Sequence, residues 1–121
     1  MVESKLGRGL RGRILGRALA AAAVGVAVVA WSAHSYAAPR DYVVTMGNMS
    51  YGQIPGGLKV GDTIVWTNRD TVPHSATARD HSFDVRVNQG QSVRMVLRKA
   101  GAIAIYCIYH PAMRGTLNVA A

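Results

Sequence analysis

The sequence predicts an all-β domain, an antiparallel Greek-key β-sandwich, and three observations carry that prediction. From residue 38 onward apolar and polar residues alternate with a period of two, turn signals recur at intervals of roughly ten residues, and no stretch repeats its apolar positions at helical spacing. With 121 residues, 50% hydrophobic and 17% charged, the chain can enclose one modest core and shows no disordered or collagen-like bias. It carries no internal repeat or low-complexity tract.

Ahead of that domain, residues 1–37 read as an export signal. Lys5, Arg8, Arg11, Arg13 and Arg17 form a basic segment, and residues 18–31 are an apolar run without charge. That run is too short for a spanning helix, which needs about 18 residues or more. Ser35 and Ala37 put small residues at the two positions a signal peptidase inspects, so cleavage is expected after Ala37. Residues 38–121 are then the mature domain, free of the membrane; an uncleaved anchor is the alternative. No adjacent arginine pair precedes the apolar run, which argues against export of a prefolded protein.

The strands follow in order. Tyr42, Val43, Val44, Thr45 and Met46 are strand formers stopped by Gly47 and Asn48, and residues 53–57, with Pro55, Gly56 and Gly57, form a loop. Residues 58–60 and 63–68 are strands separated by the Gly61-Asp62 turn. In the second, Ile64 and Trp66 share the core face, and Asn68 emerges on the inner side where the strand ends. Residues 74–78 and 83–87 flank a polar loop containing His81. In residues 92–98, Val93, Met95 and Leu97 point inward. After Gly101, residues 102–107 place Ile103, Ile105 and Cys107 on one face, so the cysteine belongs to the core side. Residues 115–119 close the domain.

The balance of charge narrows the partners. The whole chain has 14 basic and 6 acidic side chains, a net +8. Residues 1–37 hold five of the basic and one of the acidic side chains, so residues 38–121 keep nine against five, or +4. Arg69, Arg79, Arg86, Arg94, Arg98, Lys99 and Arg114 are scattered without interleaved aromatics, which disfavours nucleic acid and leaves mild steering toward an acidic protein. A single cysteine excludes an internal disulfide and any two-cysteine metal site.

That cysteine has company. Cys107, His110 and Met113 stand three residues apart near the C-terminus, and His74 lies on the strand that starts after Pro73. A thiolate, two imidazoles and a thioether are the set that holds a single blue-copper ion: thiolate and thioether favour Cu(I), imidazole tolerates both states, and a rigid sandwich prevents either state from relaxing to its own geometry. Cys107, His110 and His74 are expected in the trigonal plane with Met113 as the long axial ligand, and Pro111 stiffens the loop. Taken singly, each residue is more simply a buried thiol, a surface histidine or core filler; their order and spacing in an all-strand domain make the metal reading. His34, His81, Met46, Met49 and Met95 have no such context.

The stretch from Leu58-Lys59-Val60-Gly61-Asp62-Thr63 through Val65-Trp66-Thr67-Asn68, Pro73-His74 and Cys107 to Met113-Arg114-Gly115 resembles the plastocyanin/azurin family of cupredoxins, and within it the short-loop amicyanin branch. The resemblance spans residues 42–119. It implies a periplasmic, monomeric type 1 copper protein that carries single electrons between redox partner proteins. A dehydrogenase or oxidase and a c-type cytochrome are the partners it implies, docking near His110, whose edge is the electron port. The sequence departs from the branch at Ser75, where asparagine ties the two ligand loops together, at Tyr109, where proline is common, and at Ala112, where a larger apolar residue is common. The docking rim is then Val72, Pro73, Pro111, Ala112 and Met49.

Other classes fit less well. A copper storage or delivery module uses similar ligands and remains the alternative. A Cys-His hydrolase needs an exposed thiolate, and a multicopper oxidase needs clustered histidines that this chain lacks. The expected protein is a carrier and not an enzyme.

Overall fold

The computed structural model describes residue 16 and residues 18–121. The chain divides into two units, Met1–His34 and Ser35–Ala121. In the first, residues 18–34 form neither helix nor strand and are exposed. Lys5, Arg8, Arg11, Arg13 and Arg17, the basic part of the expected leader, lie outside the described residues. No helix among the described residues is long and apolar enough to cross a membrane.

The second unit is built from strands: β1 (Asp41–Gly47), β2 (Ser50–Tyr51), β3 (Leu58–Lys59), β4 (Thr63–Asn68), β5 (His74–Ala78), β6 (Asp84–Val87), β7 (Ser92–Val96), β8 (Gly101–Tyr106) and β9 (Arg114–Ala120). They form two sheets, ordered β2-β1-β4-β7 and β3-β9-β8-β5-β6. Each strand expected from alternation is present, and the two-residue β2, too short to show a period, is an addition. Two pairings run parallel, β1 with β4 and β3 with β9, within an otherwise antiparallel sandwich. The reason is topological: the chain leaves β1, turns back through β2, crosses to the other sheet at β3 and returns as β4 beside its starting strand.

Alternation fills the space between the sheets. Val44, Met46, Ile64 and Trp66 face inward from the first sheet, and Ala76, Ala78, Val87, Ile103, Ile105, Leu117 and Val119 from the second, all buried. Full burial of one such large apolar side chain contributes about 1.5–3 kcal/mol. Trp66 is the largest, packed edge-on against Tyr51 with ring centroids 5.8 Å apart at 62°. Its Nε1 is buried without a hydrogen-bond partner, a local cost that the packing of the ring offsets.

Polar residues hold the two ends. At one, Gly61 adopts φ 97°, and the buried Asp62 accepts from the backbone N–H of Arg40 at 2.8 Å and of Lys59 at 2.9 Å. At the other, Asn68 is buried as the alternation requires. Its Nδ2 donates to Val72 O at 2.8 Å and Val87 O at 3.1 Å, and its Oδ1 accepts from Asp70 N–H at 2.9 Å. Asn68 thereby shapes the loop that leads into His74.

Candidate metal centre

His74 opens β5, and the strand's alternation puts it on the inner face with Ala76 and Ala78. Cys107 follows β8 on the face of Ile103 and Ile105. Because β5 and β8 are neighbours, with Ala78 opposite Ile105, the two side chains meet at the same end of the sandwich. Both are fully buried. After Cys107 the chain makes a tight loop closed by its own backbone: Met113 N–H donates to His110 O at 2.8 Å, and Cys107 N–H to Met113 O at 3.0 Å. That closure returns His110 to the cysteine, and Met113 at the end of the loop is buried.

Three of the four expected ligands come together with donor atoms aligned. Cys107 Sγ lies 3.8 Å from His74 Nδ1 and 3.8 Å from His110 Nδ1, and all three donors fall within 4.8 Å of one another. Donors placed trigonally around a first-row ion, at about 2.3 Å for thiolate and about 2.0 Å for imidazole, stand about 3.7 Å apart. The observed spacing therefore fits one ion. The thiolate and paired imidazoles suit copper, and Met113, the fourth expected ligand, is buried and held by its backbone to Cys107 and His110.

The electrostatics favour a deprotonated sulfur. Burial pushes the Cys107 thiol up, but the Ser75 N–H, His74, His110 and the Tyr109 backbone more than offset it, and its pKa falls to about 7. The Ser75 N–H donates to Sγ at 3.3 Å. A thiolate is the form that binds metal.

Sequence reasoning missed Asp70. Its Oδ2 lies 2.6 Å from His74 Nε2, and its two carboxylate oxygens also accept from Asn48 N–H at 2.9 Å and Met49 N–H at 3.0 Å. The Met49 N–H first, and then His74, hold the Asp70 carboxyl below its usual range, so it only accepts. Nε2 of His74 must then carry a proton, so in the neutral ring Nδ1 is the nitrogen whose lone pair is available to an ion beside the sulfur. Burial lowers the pKa of His74, while Asp70 and Cys107 outweigh it and raise it. The same carboxylate pins the β1–β2 hairpin, whose Asn48 (φ 49°) and Met49 (φ 59°) are both left-handed. An acid four residues before a candidate ligand histidine was the available signal.

Ser75 makes a tie of its own at the position where asparagine joins the two loops in the branch. Its Oγ accepts the Ile108 N–H at 2.9 Å, joining the His74 strand to the Cys107 loop. Tyr51 hydroxyl donates to Ser75 O at 2.6 Å. Tyr109, Pro111, Ala112, Pro73 and Met49 are exposed, Val72 and His110 half-buried.

A two-sheet sandwich that closes one end over His, Cys and His has the architecture of a cupredoxin, and comparison with known proteins points the same way. Amicyanin of Paracoccus denitrificans is 30% identical over 83 residues, which are 64% of this chain and 63%, less than two thirds, of that protein. Amicyanin of Paracoccus versutus is 27% identical over 88 residues, 67% of each chain. Among solved structures, the oxidized state of a proline-to-alanine variant of amicyanin matches with a TM-score of 0.58 at 28% identity, covering 65% of this chain and 81% of that one. The Cu(I) form of a methionine-to-alanine variant gives the same TM-score over 69% and 84%. No family model matches. By sequence and by structure the chain is similar to the amicyanins, and its fold is the cupredoxin β-sandwich that they share.

Proposed function

We propose that residues 38–121 are a periplasmic type 1 copper protein that carries single electrons between redox partner proteins, delivered by a leader, residues 1–37, that is cut after Ala37. His74, Cys107, His110 and Met113 are its ligands. The observation that carries this reading is the convergence of two Nδ1 atoms on one buried sulfur, each at 3.8 Å. The amicyanin relatives, one of them solved in a Cu(I) form, support it.

Copper held by His74, Cys107, His110 and Met113 would supply one-electron chemistry, between Cu(I) and Cu(II). The protein's part is to keep the donors where both states accept them. Asp70 locks the His74 ring, Ser75 N–H stabilises charge on Cys107 Sγ, and burial of His74, Cys107 and Met113 excludes water. His110, half-buried on a loop whose Tyr109, Pro111 and Ala112 are exposed, offers the edge through which a docked partner exchanges an electron. No substrate is turned over, so the protein is a carrier.

The test is to add Cu(II) to the purified metal-free protein. An intense blue thiolate-to-copper absorption is expected, absent in Cys107→Ala, with fast electron self-exchange. A colourless or green product overturns the carrier reading, and slow self-exchange moves it to storage or delivery.

A further inference from the structure

Ser75 and Thr77 share the outward face of β5, and Arg86 and Asp84 stand directly opposite them on β6. The first two are buried; the second two form an exposed ion pair at 3.0 Å. A line of hydrogen bonds joins the pairs, and counting protons fixes its direction. The Arg86 guanidinium, and then the Thr77 hydroxyl, hold the Asp84 carboxyl below its usual range, so Asp84 is an acceptor only. Thr77 Oγ1 donates its one proton to Asp84 Oδ1 at 2.9 Å. In the 2.8 Å contact between Ser75 Oγ and Thr77 Oγ1, Ser75 must therefore be the donor. Its lone pairs remain to accept the Ile108 N–H at 2.9 Å. The chain runs one way, from Ile108 N–H through the Ser75 and Thr77 hydroxyls to the Asp84 carboxylate.

We propose that Asp84 is a positioning residue of the metal centre: by fixing the direction of this chain it holds the amide of Ile108, the first residue after Cys107, on Ser75. Each hydroxyl that donates becomes a better acceptor, so the surface carboxylate strengthens the bond at the far end. Ser75 is the hub, because its own N–H donates to Cys107 Sγ at 3.3 Å. Asp84 touches no ligand itself and acts through Thr77 and Ser75. The inference rests on the copper reading for its spectroscopic consequence only; the hydrogen-bond direction stands without a metal.

The experiment compares the wild type with Thr77→Val, Asp84→Ala and Asp84→Asn. Two readouts are taken, the thiolate-to-copper band after Cu(II) addition and hydrogen exchange of the Ile108 amide in the metal-free protein. Thr77→Val and Asp84→Ala are expected to move the band in the same direction and to speed Ile108 exchange about three- to tenfold, the weight of one hydrogen bond. Asp84→Asn keeps an oxygen that accepts from Thr77 and is expected to restore most of both. An unmoved band with unchanged Ile108 exchange in Thr77→Val and Asp84→Ala overturns the proposal, as does Asp84→Asn behaving like Asp84→Ala. If Cu(II) gives no blue band even in the wild type, the copper reading fails while Ile108 exchange still decides the chain.

Discussion

His74 and His110 each present Nδ1 to the same sulfur at 3.8 Å, yet the protein treats them differently. His74 sits on a strand, fully buried, with its Nε2 held at 2.6 Å by a carboxylate that itself accepts two backbone N–H groups. His110 sits on a loop, half-buried, and that loop is closed by two backbone hydrogen bonds between its own residues. One imidazole is fixed by contacts from three elements, the other by local geometry beside open solvent. Equal distances to one donor therefore do not mean equal surroundings, and on the proposed copper reading the buried ring serves as the anchor and the half-buried ring as the point of access.

Replacing each ring by glycine breaks that comparison most severely. His110→Gly leaves a gap open to solvent, so added imidazole is expected to enter it and bring back the blue absorption with Cu(II). His74→Gly leaves its gap sealed, and added imidazole is expected to recover little. Equal recovery in the two variants would remove the distinction between anchor and access.

Asp70 tests the anchor alone. A carboxylate that orients a metal-binding histidine typically contributes about 10–100-fold in metal affinity, and Asp70→Ala is expected to lose that much by copper titration. Acid supplies a second measure. The folded carboxyl lies below its usual range, so the unfolded chain takes up the proton first. The contribution of Asp70 is therefore complete above the ordinary carboxylate pKa of about 4 and disappears as pH falls through the lower folded value. The stability difference between wild type and Asp70→Ala in the metal-free protein should close over that acidic window; a difference that persists at the acid end would show that Asp70 acts by packing.

These contrasts mark where sequence reading succeeds. Alternation in residues 63–68 and 102–107 placed Trp66, Asn68 and Cys107 on the inner side, because a strand period of two acts locally. The spacing of Cys107, His110 and Met113 was legible because one tight loop carries all three. Asp70 and the Ser75–Thr77–Asp84 chain were not, since they depend on which strands become neighbours. The same holds for the parallel pairing of β1 with β4, whose partners are some 20 residues apart in sequence. Met49 in a left-handed turn was equally hidden: glycine is the residue such a turn advertises, and here an acid on another loop stabilises the conformation instead.

The smallest effect comes from Tyr51. Its hydroxyl donates to Ser75 O at 2.6 Å from a half-buried position, and burial, with the charge of Cys107 nearby, pushes its own pKa up, so it stays a protonated donor. Tyr51→Phe removes that donor while keeping the ring against Trp66. A net hydrogen bond contributes about 1 kcal/mol, and denaturant unfolding of the metal-free variant should show a loss of that order. The blue absorption should barely change, because Ser75 still reaches Cys107 through its N–H and Ile108 through its Oγ. Support on the His74 side is redundant, so removing one of its several contacts lowers stability without moving the donor. Should Tyr51→Phe instead abolish the blue colour, the anchor would depend on a single contact, and the contrast with the His110 loop would lie in exposure alone.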